Sequence, residues 1–244
     1  MVNDIKVIDP TCSLLGKFAD DLTLSVPIRN GKSDISSLEV LNVKKWAEEN
    51  RMKLNLNKTW EMVLRGKTHK PLPDPLPLIQ RRDWLKLLGV FFLNNPCNWD
   101  INFKNILKKA SSQLHILRVC KFHGYVTHDL HLLFNSLFMP ILYFSIEVWG
   151  CAHKNKYLEQ VDSFLRRAHR FGYTSHLINI NDIIQERDHK LWNKVVSNPD
   201  NPLNELLPPQ RTRCLRERKH NYTLPKVKTE RFKRLFINRC LFEF

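Results

Sequence analysis

Phe18-Ala19-Asp20-Asp21 lies between two short apolar runs, Leu14-Leu15 and Leu22-Thr23-Leu24-Ser25-Val26. The second run alternates, so Leu22, Leu24 and Val26 fall on one face of a strand. Gly16 interrupts the first run and makes it the weaker strand signal. Two strands joined by a tight turn form a hairpin, and Asp is a favoured turn residue. Asp20 and Asp21 therefore have two readings: turn residues facing water, or a pair of hard oxygen ligands presented to Mg²⁺ on a rigid hairpin. Four residues alone do not choose between them.

The 244 residues can bury a sizeable core, and 43% hydrophobic with 26% charged residues is a globular balance rather than a disordered one. A net charge of +15 favours a polyanionic partner, nucleic acid first and an acidic membrane surface second. The six cysteines are widely spaced and form no C-x-x-C pair, which fits a reducing compartment better than a disulfide framework. Cys120-x-x-His123 and Cys151-x-His153 are fragments of a zinc pattern without four ligands at finger-like spacing. Asp4, Lys6 and Asp9 leave no signal-peptide core near Met1. The most apolar run, Leu137 to Trp149, contains Pro140 and Glu147 and is too short to cross a bilayer. The expectation is a soluble intracellular chain, nuclear or cytoplasmic, with no membrane partner.

Beyond the hairpin, Asn30-Gly31 marks a turn, and Ser36-x-x-Glu39 has the form of a capping box opening a helix to about Asn50. Val40, Val43 and Ala47 line its apolar face, widened by Leu38, Leu41 and Trp46. Leu54 to Thr59 turns into a strand from Trp60 to Leu64. Pro71, Pro73, Pro75 and Pro77 make a stiff extended loop, and Trp84 to Phe92 reads as a buried strand or hairpin arm bent at Gly89. From Asp100 the period becomes helical: Phe103, Leu107, Ala110, Leu114 and Leu117 form one seam. A second helix runs from Leu130 to Val148 with a kink at Pro140. A third carries Tyr157, Val161, Phe164, Ala168 and Phe171 and ends at Gly172. Asn179 to Val196 holds a further helix, and Asn198 to Pro209 is a connector. From Arg211 to Phe244, eleven Lys/Arg face three Glu, a net of +8, with Tyr222, Phe232, Phe236 and Phe242 interleaved. Such a segment either pairs phosphates and stacks bases or is a solvated helix whose phenylalanines dock on the bundle.

In this order the features resemble the C-terminal part of a non-LTR (LINE-type) retrotransposon reverse transcriptase, an RNA-directed DNA polymerase. Phe18-Ala19-Asp20-Asp21 is similar to that family's [Tyr/Phe]-x-Asp-Asp motif, and Asn55-Leu56-Asn57-Lys58-Thr59 to the next palm motif. Leu87-Leu88-Gly89-Val90 resembles the primer-grip hairpin, and Leu133-Phe134-Asn135 through Tyr143 to Trp149-Gly150 the thumb helix. Arg231-Phe232-Lys233 to Asn238-Arg239-Cys240-Leu241-Phe242 is similar to the basic end of such reading frames, and Met1 to Ile5 to the helix end before the hairpin.

The resemblance implies an α+β fold: a partial right-hand polymerase palm of β-hairpins plus a helix over residues 1–95, a helical thumb bundle over 96–175, then a connector and basic C-terminal segment over 176–244. It implies two-metal nucleotidyl transfer with Mg²⁺ on an RNA template and a DNA primer or target. Asp20 and Asp21 become the metal and catalytic carboxylates, with Ala19 under the primer terminus and Phe18 packed beside it. Lys58 becomes the cation on the leaving pyrophosphate, and Leu88 and Gly89 the primer grip. Arg211, Arg213, Arg216, Arg218, Lys219, Arg231, Lys233 and Arg234 become nucleic-acid contacts. The family's other metal-binding aspartate and its fingers lie upstream of the position matching Met1. The expectation is a truncated enzyme, inactive alone, with a non-catalytic nucleic-acid-binding module as the alternative. Ala19 to Met62 is also similar to a short segment of an AlkB-type DNA-repair homologue. None of the ten histidines is followed at the second position by Asp or Glu, so that iron chemistry has no ligands here.

Overall fold

The alternating run pairs as read. In the computed structural model, which describes residues 4–28, 34–65, 71–151, 155–212 and 220–244, β1 (Leu14–Phe18) runs antiparallel to β2 (Asp21–Ser25). Leu15 faces Leu24 and Lys17 faces Leu22 across the hairpin, and these four make its half-buried face. Gly16 sits opposite Thr23 with ordinary clearance, so it breaks nothing.

Helix α1 (Ser36–Glu49) follows, burying Glu39, Val43 and Ala47. The predicted capping box is absent, because Glu39 turns inward instead of back to the helix start, and Ser36 N–H is taken by the Asp34 carboxylate. Leu38 and Leu41 are exposed, so the apolar face is narrower than its leucines suggest. The helix ends with Arg51 at φ 55°, Arg51 N–H on Glu48 and Met52 N–H on Ala47, a left-handed cap built without glycine. A 3₁₀ turn, Leu56–Lys58, leads into β3 (Trp60–Glu61), which pairs in parallel with β4 (Gln80–Arg81). The strand expected to reach Leu64 is two residues long. The proline loop is fastened by Arg81, whose guanidinium binds the Pro73 and Asp74 carbonyls and the Glu61 carboxylate at 2.7 to 3.0 Å.

β5 (Trp84–Leu87) and β6 (Val90–Leu93) form a third two-stranded sheet through the turn Leu88-Gly89. The chain divides into two units: residues 1–85 with 93–95, and residues 86–92 with 96–244. The second is helical. α2 (Asp100–Phe122) buries Phe103, Ala110 and Leu117 of the predicted seam, leaves Leu107 and Leu114 partly buried, and adds Ile106. The second predicted helix is instead three: α3 (Thr127–Leu137), α4 (Met139–Tyr143) and α5 (Ile146–Trp149). Pro140 has no N–H to continue α3 and sits in the first turn of α4, where none is needed. Phe144 is then extended and Ser145 left-handed at φ 52°. Trp149 Nε1 donates to the Phe144 carbonyl at 2.8 Å, satisfying a group this break exposes.

α6 (Asn155–Arg170) ends as predicted, with Gly172 at φ 72°, Gly172 N–H on His169 and Tyr173 N–H on Ala168. α7 (Ile180–Ser197) is capped by the Asn179 side chain. α8 (Glu230–Lys233) and α9 (Phe236–Glu243) close the chain. Phe134, Phe138, Leu142, Trp149, Phe164 and Ile180 are among the side chains filling the common core of this unit. Among the described residues the architecture is mixed α+β, dominated by helices, with three small sheets. Among the described residues, no helix is long and apolar enough to cross a membrane.

Candidate functional site

Phe18 pairs with Asp21, which leaves Ala19 and Asp20 as the two central residues of the hairpin turn. Ala19 has φ 52° and Asp20 does not enter the positive-φ region. A two-residue turn with positive φ only at its first centre is the type II′ geometry, which prefers glycine there. Alanine in that place costs roughly 1 kcal/mol. Asp20 and Asp21 are both exposed. Strand alternation puts Asp21 on the open face of the hairpin with Leu14, Phe18 and Thr23. Phe18, expected to pack, is 63% exposed on that face.

The hairpin is reached through residues 4–13, and α1 holds that approach. Glu39 is fully buried and its carboxylate accepts from the backbone N–H of Ile8 at 3.0 Å and of Asp9 at 3.2 Å. Asn42 donates to the Lys6 carbonyl at 2.7 Å, and Trp46 Nε1 to the Asp4 carboxylate at 3.2 Å. Glu39, Asn42 and Trp46 are spaced by three and four, so one stripe of α1 reads the extended segment from Asp9 back to Asp4. Lys17, within β1, reaches the Ile5 carbonyl at 2.6 Å from the hairpin side. Nothing in the capping-box reading of Glu39 pointed to this clamp. The available signal was the polar spacing 39, 42, 46 beside the buried 43 and 47.

Lys58 ends the 3₁₀ turn and is exposed in the same unit as the aspartates. Leu88 and Gly89 belong to the second unit and form the other tight hairpin turn, at φ 45° and 91°. Two positive φ angles in succession are the type I′ signature. Leu88 is half exposed, while a Cβ on Gly89 would lie 2.8 Å from the ring of Phe144.

Of the basic segment, Arg213, Arg216, Arg218 and Lys219 lie outside the described residues. The Arg211 guanidinium donates to the His220 carbonyl at 2.9 Å. Arg231 and Lys233 are exposed, and Arg234 approaches Glu230 at 4.0 Å. Arg239 is buried and binds Asp188 of α7, so it serves the fold and not a ligand. Burial pushes the Asp188 carboxyl up, and the guanidinium opposes that shift. Cys240 and Leu241 pack with Trp192, which makes α9 a docked helix rather than a free tail. Burial drives the Cys240 and Cys151 thiols well up, so neither is a ready thiolate.

Among the described residues, no group of three or more His, Cys, Asp and Glu side chains is arranged to hold a metal. Two adjacent carboxylates suit one Mg²⁺ that also takes substrate phosphates. By themselves they do not make up a two-metal centre. Compared with protein-family models, curated proteins and solved structures, the chain matches none.

Proposed function

We propose that the chain is a palm-and-thumb portion of a non-LTR-type reverse transcriptase whose role, as these residues stand, is to hold nucleic acid rather than to complete nucleotidyl transfer. The observation that carries this reading is the Asp20-Asp21 hairpin. A strained residue at a tight turn, beside two exposed carboxylates, is where functional sites keep their backbone strain. The Leu88-Gly89 turn, the helices beginning at Asp100 and the net charge of +15 support it in the order the resemblance implies. The same carboxylates, with no third ligand grouped with them among the described residues, support binding over synthesis.

A primer-extension assay on the purified chain with Mg²⁺, an RNA template and a DNA primer tests it. The expected result is binding without extension; RNA-templated product that Asp20→Asn abolishes overturns the non-catalytic part. The second reading is a non-catalytic nucleic-acid-binding module that uses the thumb helices and the basic segment; it is favoured by Asp20 and Asp21 having no third ligand grouped with them among the described residues. It predicts that Asp20→Asn with Asp21→Asn leaves binding of a primer–template unchanged. Deleting residues 211–244 is unsuitable as a test of the basic segment, because it strips Arg239 from buried Asp188. Neutralising the exposed Lys226, Lys228, Arg231 and Lys233 keeps that pair intact.

A further inference from the structure

α2 and α6 lie side by side in the same direction. Lys156 at the start of α6 meets Asp100 at the start of α2 at 3.3 Å, and Lys121 near the end of α2 meets the Phe171 carbonyl just past α6 at 2.6 Å. Between them runs an open groove of about 490 Å³, with Ser111 of α2 and Gln160, Ser163 and Arg167 of α6 among its walls. Ser111 shares its helix face with exposed Lys104, Lys108, His115 and Arg118, spaced by three and four. Ser163 shares its face with exposed Lys156, Arg167 and Arg170. Of the groove's lining residues only Glu159 is acidic, and Asp100 at its head is engaged by Lys156. Lys108 and Arg118 have no ion-pair partner among the described residues, so their charge is uncompensated. Leu107 and buried Phe164 form its floor, and the exposed Ser111, Gln160 and Ser163 stand along its walls.

At the end of α2 stand Phe122, its last residue, 86% exposed, and Tyr125, just past it, 50% exposed. They are fixed at a glycine cap: Gly124 is at φ 89°, with Tyr125 N–H on the Cys120 carbonyl. Large aromatic faces left in water at the end of a cationic track are stacking platforms for bases.

We infer that the α2–α6 groove binds the phosphodiester backbone of a single nucleic-acid strand, with Phe122 stacking a base where the strand leaves it. Packed helices have axes about 8–10 Å apart, so the groove admits one backbone and not a duplex. α6 is about 24 Å long at 1.5 Å per residue, room for a few nucleotides. Serine hydroxyls on the walls donate to phosphate oxygens, and the two cationic rims replace the counterions the strand releases. The inference rests on the nucleic-acid reading above and adds the place and the strandedness.

The test is fluorescence anisotropy of a labelled oligodeoxythymidylate of about twenty nucleotides, titrated with the full chain across a salt series. Replacing Lys104, Lys108 and Arg118 by Gln is expected to weaken binding at least about tenfold and to flatten the log–log salt slope by about 2. Phe122→Ala weakens it by about fivefold or more with the slope unchanged. All four residues are exposed, and circular dichroism checks that each variant folds. If the intact chain binds and the rim variant binds equally well with the same slope, the groove assignment falls while nucleic-acid binding stands. If neutralising Lys226, Lys228, Arg231 and Lys233 instead removes the binding, the site is the C-terminal segment. A duplex that competes as well as the single strand overturns the strandedness. No binding by the intact chain overturns both readings.

Discussion

Arg239 donates to both carboxylate oxygens of Asp188, at 2.5 and 2.7 Å, and both side chains are buried. Nη1 donates to the Arg234 carbonyl and Nη2 also to the Glu147 carbonyl, so all three nitrogens of this cation are engaged inside the protein. Breaking such a pair on one side strands a buried charge. Asp188→Ala is expected to lower the unfolding free energy by about 3–5 kcal/mol, whereas Asp188→Leu with Arg239→Met recovers most of it. Urea unfolding of the three proteins measures this, and a loss under about 1 kcal/mol for the single variant contradicts it.

Glu39 plays the equivalent part in the first unit, but toward backbone rather than a cation. Glu39→Ala leaves the Ile8 and Asp9 N–H groups without their acceptor and is expected to cost about 2–3 kcal/mol. Glu39→Gln keeps one oxygen and costs about half that. The sensitive readout is limited proteolysis, with new cleavage between residues 4 and 13 in Glu39→Ala and little in Glu39→Gln. Equal protection in all three proteins refutes the clamp.

These two residues also show where sequence reading succeeds and where it stops. Period carries to structure whenever burial is one-sided: Leu22 and Leu24, the Phe103 to Leu117 seam, and Val161, Phe164 and Ala168 all face inward as their spacing requires. Glu39 and Arg239 fail the same reading because their partners, Ile8 and Asp188, are 31 and 51 residues away. A capping box and a basic tail are local patterns, and long-range partners outcompeted both. Pro140 was legible as a helix fault, but not that Ser145 would adopt a left-handed backbone and turn one kink into two breaks. The hairpin at Asp20-Asp21 was legible, but not that Ala19 and Asp20 would form its two-residue turn while Asp21 begins the second strand. Nor was its chemistry, since ligands for a metal must converge from segments whose approach no local period encodes.

His131 gives the fold an acid-sensitive joint. Its Nδ1 accepts the Ser175 N–H at 3.3 Å, its Nε2 lies 3.0 Å from the Asn135 amide, and its ring is 5.1 Å from that of His176. Burial, then the neighbouring His176 and His128, hold its pKa below the ordinary value. A depressed histidine stays neutral in the folded state, while the unfolded chain takes up the proton near pH ~6.5. The stability it contributes is therefore present above about pH 6.5 and is lost as pH falls toward the lower folded value. Melting temperature is expected to drop between pH ~7.5 and ~5.5, and less so in His131→Gln, which has no proton to gain. Parallel pH profiles for the two proteins remove His131 from the account.

The two tight hairpins answer glycine substitution in opposite directions. At the first, Ala19 occupies a positive-φ centre that glycine fills without strain. Ala19→Gly relieves about 1 kcal/mol of strain and costs about 0.4–1 kcal/mol of unfolded-chain entropy, a net gain of at most about 0.6 kcal/mol. At the second, Gly89 has φ 91°, and a Cβ there would meet the Phe144 ring at 2.8 Å. Gly89→Ala is expected to cost about 1–3 kcal/mol, from the backbone and from displacing that ring together. Adding Phe144→Ala removes the ring and returns only its share, leaving the φ penalty. Gly16, with 3.7 Å of clearance and no positive φ, is the control at which Ala is tolerated. Thermal unfolding of the four variants decides it: destabilisation by Ala19→Gly means the turn strain is not there, and with it goes the main structural support for Asp20-Asp21 as a functional turn.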